Sequence, residues 1–303
     1  MLKTASLLIF TLVIVPFIAF KFGTPLTVEQ LALLKILFIT TIAIALACFI
    51  ISEITKNYSQ TDKLWSITPI IYVWIATAYS DWNIRMIFLS VLVSIWGIRL
   101  TYNFSRRGGY SLKFWEGEED YRWTVLKQHK PLNIPWVFSI FNLLFISLYQ
   151  HLLILFFTLP IILSINTTTI FWYDYVLAGF MLLFIAIETK ADQEQWNYQT
   201  EKHKRINNKE ELNPLYKKGF VHTGLWGIVR HPNYAAEQAI WITFYLFSIS
   251  ATGQWINWSI MGCLLLVVLF KSSSDFSEKI SASKYPDYSA YQKKIGKFLP
   301  KFV

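Results

Sequence analysis

This 303-residue chain is poor in charge. Asp, Glu, Lys and Arg make up 16% of it, while hydrophobic residues reach 54% and aromatics 17%. A soluble globular domain carries about a quarter charged residues, so an ordinary soluble domain is excluded. Cysteine is also scarce. Cys48 and Cys263 both lie in apolar runs, which gives no disulfide framework and no thiol metal spacing, and defines no redox compartment. Three signatures are missing altogether. With no G-x-G-x-x-G and no phosphate-binding loop, a bound nucleotide would not be held by a Rossmann domain. The histidines His129, His151, His203, His222 and His231 form no H-E-x-x-H or other ligand spacing, so no metal site is expected.

What the chain has instead is long apolar runs, near 4–20, 31–52, 65–81, 86–104, 134–164, 168–188, 224–250 and 255–270. A helix needs about 20 apolar residues to cross a bilayer. The pattern therefore predicts an all-α, multi-pass transmembrane helical bundle of seven to nine spans. The 134–164 run exceeds one simple span and is expected to tilt, to break near Gln150-His151 or to include an interfacial stretch. The first run comes after Lys3, but no small-residue cleavage site follows it, so it reads as a retained span rather than a signal peptide.

The net charge of +9 sits between the runs. Segment 105–132 holds Arg106, Arg107, Lys113, Arg122, Lys127 and Lys130. Segment 190–222 holds Lys190, Lys202, Lys204, Arg205, Lys209, Lys217 and Lys218, and seven lysines follow residue 270. Positively charged loops stay on the cytoplasmic side. Two spans separate each of these segments from the next, so all three, and the N-terminus, are expected to be cytoplasmic. Such charge either sets topology alone or also holds an anionic cofactor. Nucleic acid is not an expected partner.

Three polar blocks lie among the runs. In Trp96-Gly97-Ile98-Arg99-Leu100-Thr101-Tyr102-Asn103, Arg99 and Asn103 are four apart on one helix face, and Tyr102 shares another with Arg106. Gly108-Gly109 then ends the helix. Arg99 reads either as a snorkelling side chain or as a ligand contact. Glu118, Glu119, Asp120, Arg122 and Trp123 follow as an amphipathic surface segment. The second block steps through Glu188, Asp192, Gln195 and Gln199 as one polar stripe, either a solvated face or a row of acceptors for ribose hydroxyls or an amide. The third follows Gly224-Leu225-Trp226-Gly227 and runs Arg230-His231-Pro232-Asn233-Tyr234, then Glu237. Pro232 suits a first helical turn. The N-terminus of that helix, flanked by Arg230 and His231, is a natural anion site. Glu237 and Trp241 continue the Asn233 face into an apolar run, where a carboxylate needs a hydrogen-bonded partner. In the tail, Glu278 precedes Tyr285, Tyr288 and Tyr291, aromatics that either pack or cover a flat heterocycle.

Taken in order, Trp96…Arg99-Leu100-Thr101-Tyr102-Asn103, Arg107-Gly108-Gly109-Tyr110, Glu119-Asp120-Tyr121-Arg122-Trp123, Glu188…Asp192…Gln195 and Arg230-His231-Pro232-Asn233-Tyr234…Glu237 resemble the uncharacterised branch of the steroid 5-alpha-reductase-like membrane proteins. The resemblance runs from about Asp62 to the C-terminus. It implies a helical bundle that holds NADPH at its cytoplasmic side and reduces a carbon–carbon double bond in a sterol-like or other lipid substrate. It assigns Asp192, Arg230, His231, Asn233, Tyr234, Glu237 and Tyr288 to the cofactor pocket, with Glu188 at a position that often bears an amide. Arg99, Gln195 and Glu278 complete the expected cofactor set. Trp96 stands where the steroid reductases carry their catalytic tyrosine, and an indole N–H only donates a hydrogen bond. Tyr102 is therefore the expected proton donor, with Glu237 as its catalytic companion. Their early Gln-Glu pair has no counterpart beyond Asp62, near Trp65.

The expected organisation is an N-terminal helical part over 1–60 and a reductase-like domain over 61–303. Two other readings stand beside the reductase. The Arg-His-Pro-x-Tyr element is similar to one in the isoprenylcysteine and phospholipid methyltransferases, which use S-adenosylmethionine. Those usually have Gly soon after the Tyr and a Glu-Glu pair before the tail, whereas this chain has Ala235-Ala236-Glu237 and a single Glu278. The other is a non-catalytic lipid-binding membrane protein on the same scaffold.

Overall fold

The computed structural model describes residues 10–111, 113 and 117–301. Lys3 and the start of the first apolar run lie outside the described residues. Among those described, every regular element is helical, and the β contact is one isolated parallel bridge between Val229 and Gly296.

Local chemistry sets the helix ends. Thr27 opens the Val28–Thr55 helix with a capping box: its hydroxyl accepts from Gln30 N at 3.2 Å, and Gln30 Oε1 accepts from Thr27 N at 3.1 Å. Lys56, left-handed at φ 56°, ends it. Asn83, Asp120 and Asn213 cap the helices Ile84–Ser105, Tyr121–Lys127 and Pro214–Lys217 through their side-chain oxygens.

The chain divides into two compact units, Met1–Val176 with Phe244–Leu265, and Leu177–Thr243 with Leu266–Val303. Within the first unit the Val28–Thr55 helix packs on Ile67–Tyr79 and on the Asn142–Thr158 stretch.

Among the described residues, four helices are long and apolar enough to cross a membrane: Val28–Thr55, Ile84–Ser105, Pro135–Leu163 and Ile260–Lys284. That is fewer than the seven to nine expected from the runs. The 65–81 run yields a helix of only 13 residues, Ile67–Tyr79. The 224–250 run opens with a 3-10 turn, Gly224–Gly227, and its helix starts at Pro232. The 168–188 run becomes the first half of a 36-residue helix, Trp172–Asn207, whose second half is polar.

Two of the four show opposite uses of apolar sequence. Only 22% of the apolar window of Val28–Thr55 is buried, and Val28, Ile39 and Ile54 are 81%, 68% and 76% exposed. Apolar faces turned outward on this scale suit hydrocarbon rather than water, which supports a membrane protein. In Pro135–Leu163, by contrast, 89% of the window is buried. Its 29 residues span about 43 Å at 1.5 Å per residue, more than the hydrocarbon core of a bilayer, and its apolarity serves the interior of the first unit. Of the three expectations for this run, a break near Gln150-His151 is not what forms: a π-helical stretch, Asn142–Tyr149, leads directly into Gln150–Thr158. His151 is fully buried there. Its Nδ1 lies 2.8 Å from Ser147 O and, since a carbonyl only accepts, carries the proton.

The first unit also holds an ion pair without a sequence signature. Arg85 donates to Asp174 at 2.5 and 3.0 Å, to Thr169 O at 2.9 Å, to Phe247 O at 3.1 Å and to Ser250 Oγ at 3.0 Å. Both side chains are 1% exposed. The pair ties together the start of Ile84–Ser105, the 169–174 segment and the end of the Pro232–Thr252 helix.

Candidate functional site

The second unit gathers most of the residues singled out above. Its centre is the backbone around Arg230, which pairs with the tail: Arg230 N donates to Gly296 O at 2.8 Å and His231 N to Lys297 O at 3.1 Å. Pro232 then begins the helix Pro232–Thr252. The tail therefore lies alongside the residues that lead into that helix.

Glu278, on the Ile260–Lys284 helix, is the hub. Its carboxylate accepts from Arg230 Nε at 2.7 Å and Nη2 at 3.3 Å, from His231 Nε2 at 2.9 Å and from Gln292 Nε2 at 2.9 Å. A carboxylate only accepts, so His231 carries its proton on Nε2 in this contact. Lys297 Nζ lies 3.7 Å from Glu278 and also pairs with Asp275. Arg230 Nη1 donates to Gln292 O at 3.0 Å and to Ile295 O. Four of the five guanidinium N–H groups thus serve the protein itself. Arg230, His231 and Glu278 are all under 10% exposed, where such a pair is held by geometry and costly to break.

One turn along, acceptors collect. Asn233 Nδ2 donates to Asp192 Oδ1 at 3.2 Å, joining the Pro232 helix to the Trp172–Asn207 helix. Asp192 and Glu188 are both 4% exposed, four residues apart on the same helix. Glu237 is 3% exposed and accepts from Trp241 Nε1 at 3.0 Å, the hydrogen-bonded partner that a carboxylate there required. Gln195 is half-buried on the same stripe. Tyr234 stacks on His231 with ring centroids 5.4 Å apart and contacts Phe270 at 4.8 Å.

The tail aromatics pack. Tyr288 meets Phe220 edge-on at 4.9 Å, and Tyr291 donates its hydroxyl to Trp226 O. Burial pushes the Tyr288 hydroxyl up to about 12, with the Glu278 carboxylate adding and Arg230 opposing. An open cavity of about 310 Å³ lies against the hub, lined by Asp275, Glu278, Lys279, Ala282 and Gln292.

Arg99 and Tyr102 belong to the first unit, on Ile84–Ser105. Arg99 is half-buried, and Tyr102 is 67% exposed with the Arg106 guanidinium 5.9 Å from its ring. Trp96 is fully buried. Asp62 accepts from Trp123 Nε1 at 3.0 Å, which gives the aspartate and the 119–123 motif a shared place.

Three members of the hub were not foreseen: Gln292, Lys297 and Asp275. The tail's lysine density was visible, but nothing in the sequence pairs Gly296 with Val229. A polar stripe at helical spacing found Asp192. No comparable periodicity marks Gln292.

The family model described as "Protein of unknown function (DUF1295)" matches residues 48–295. An uncharacterised protein of Schizosaccharomyces pombe is 34% identical over 265 residues, 83% of this chain and 75% of its own. No solved structure matches.

Proposed function

The chain belongs to the DUF1295 family, a steroid 5-alpha-reductase-like family, and from that membership we propose an integral membrane reductase that uses NADPH to reduce a carbon–carbon double bond in a lipid or sterol-like substrate. The observation that carries this reading is the set of buried acceptors on the two helices that the Asn233–Asp192 bond joins: Asp192, Glu188 and Glu237, each under 5% exposed. Carboxylates and an asparagine amide fit the ribose hydroxyls and carboxamide of a nicotinamide nucleotide. When bound, that cofactor supplies the reducing equivalent, and the protein supplies orientation.

The residues divide the remaining work. Asp192 and Asn233, already bonded to each other, orient the sugar and amide. Arg230 and Glu278 hold the tail in place, so the charge of Arg230 reaches a ligand mainly through the geometry it maintains. His231, Tyr234 and Tyr288 shape the same region, with Gln195 along the stripe. Reduction of a conjugated alkene builds negative charge on a carbonyl oxygen, which a nearby donor stabilises. On the resemblance, Tyr102 delivers the proton and Arg99 supports the cofactor. The basic loops and the tail lie on the cytoplasmic side in this reading.

The test uses membranes containing the protein, deuteride-labelled NADPH and lipid mass spectrometry, with Glu237→Gln for comparison. Enzyme-dependent deuterium in a lipid, reduced at least tenfold in Glu237→Gln, is the expected result. A thermal-shift panel with NADPH, NADH and S-adenosylmethionine runs beside it. Stabilisation by S-adenosylmethionine alone would transfer the protein to the methyltransferase reading. NADPH binding without any labelled lipid would leave the non-catalytic scaffold.

A further inference from the structure

The 190–224 segment of the second unit carries a feature that the reductase reading does not use. An open groove of about 570 Å³ runs between the Trp172–Asn207 helix and the chain that follows it. Glu194, Trp196, Tyr198 and Glu201 line one side, and Tyr216 and Gly224 the other. Its ingredients are therefore aromatic rings and carboxylates, in a segment whose other charges are mostly basic.

The chain's own cations already use that chemistry. The Arg205 guanidinium sits 5.4 Å from the Tyr216 ring centroid, and its Nε lies 2.7 Å from Glu201 Oε1. The Lys202 ammonium sits 5.9 Å from the Tyr198 ring. Tyr198 and Tyr216 are 5.2 Å apart at 44°, which fixes both rings. An aromatic ring paired with a carboxylate is thus a working cation seat in this groove.

A second carboxylate of the groove stands without a cation. Glu194 Oε2 accepts from Leu225 N at 2.9 Å, which anchors the group, and Glu194 makes no ion pair among the described residues. Gly224 keeps it open. At φ +61°, a Cβ on this residue would lie 2.6 Å from the Glu194 carboxylate. Any side chain there would be strained and would cover the carboxylate.

We propose that this groove binds an organic ammonium group, paired with Glu194 and seated against the rings of Trp196, Tyr198 and Tyr216. The group belongs either to a soluble amine or to the headgroup of a zwitterionic phospholipid. The proposal is independent of the cofactor reading.

The probe is choline, titrated by calorimetry into the full-length protein in phosphatidylglycerol nanodiscs, with 3,3-dimethylbutan-1-ol as the neutral isostere. Saturable binding on the order of 1 mM is expected for a single solvent-accessible seat. Glu194→Gln keeps an acceptor for Leu225 N and removes the charge. It should weaken choline at least fivefold while leaving NADPH affinity unchanged. Trp196→Leu should weaken choline similarly, and the isostere should bind at least tenfold more weakly than choline. In phosphatidylcholine nanodiscs, a severalfold loss of apparent choline affinity assigns the groove to a lipid headgroup, and unchanged affinity assigns it to a soluble amine. Absence of saturable choline binding, equal binding of the isostere, or unchanged affinity in Glu194→Gln would each overturn the proposal. A loss of NADPH affinity in Glu194→Gln would contradict its independence from the cofactor site.

Discussion

Arg85 and Asp174 show what a single pair decides in this protein. Each side chain is 1% exposed, and the guanidinium is bonded to a carboxylate, two backbone carbonyls and a hydroxyl. Two charges buried together gain little over a well-packed apolar pair, but one charge left alone is expensive. Asp174→Ala should therefore cost about 3–5 kcal/mol, read as a lowered unfolding midpoint in detergent. Arg85→Met combined with Asp174→Leu should recover most of that loss; a double variant as unstable as the single one would show that the pair is more than a charge balance. Tyr288 makes a second prediction at this scale. Burial raises its hydroxyl from the ordinary 10 to about 12, so the neutral phenol is favoured in the folded protein. Its contribution is complete below pH 10 and is lost as pH rises towards 12. Stability measured across that window should fall less steeply in Tyr288→Phe than in the wild type, and parallel curves would remove Tyr288 from the alkaline transition.

Among the helices, close approach is set by glycine. A Cβ on Gly262 would stand 2.0 Å from Phe156 O, and one on Gly97 would stand 2.6 Å from Ser66 O. A backbone carbonyl cannot rotate aside as a flexible side chain can, so the helices would have to separate. Small residues at helix contacts are how membrane bundles bring backbones together. Gly262→Ala should cost about 1–3 kcal/mol through overpacking. Gly179, with nothing within 4 Å of its missing Cβ, is the matched control. There the same substitution should be neutral or stabilise by about 0.5–1 kcal/mol through helix propensity. Thermal unfolding of the two variants tests the contrast. Equal effects would mean that helix propensity, rather than the Phe156 contact, governs both sites.

For the molecule as a whole, sidedness is the accessible question. The basic segments 105–132 and 190–222 are separated by two runs that the sequence reads as spans. Single cysteines introduced at Ser105 and Asn208, in a variant lacking Cys48 and Cys263, should react with a membrane-impermeant maleimide from the same side. Labelling from opposite sides would overturn the topology. The helix count tempers the picture of many simple spans. One of the four qualifying helices, Pro135–Leu163, has most of its apolar window inside the protein rather than against lipid.

All-helical architecture, membrane character and the polar blocks among the apolar runs were legible in order along the chain. Each rests on local pattern: runs of apolar residues, polar stripes at helical spacing, and a proline opening a helix beside Arg230 and His231. Helical periodicity put Glu188 and Asp192 on one face of a helix, and only the structure showed that this face is buried. What the tertiary structure alone decided depends on contacts between residues far apart in sequence. Glu278 became the hub because the tail folds back so that Gly296 lies beside Val229, which gives Arg230 its bonds to Glu278 and Ile295 O. The Arg85–Asp174 pair spans 89 residues and follows no spacing rule. Burial makes the last distinction: the same apolar composition faces outward in Val28–Thr55 and inward in Pro135–Leu163, because only packing determines which side of a helix finds a protein neighbour.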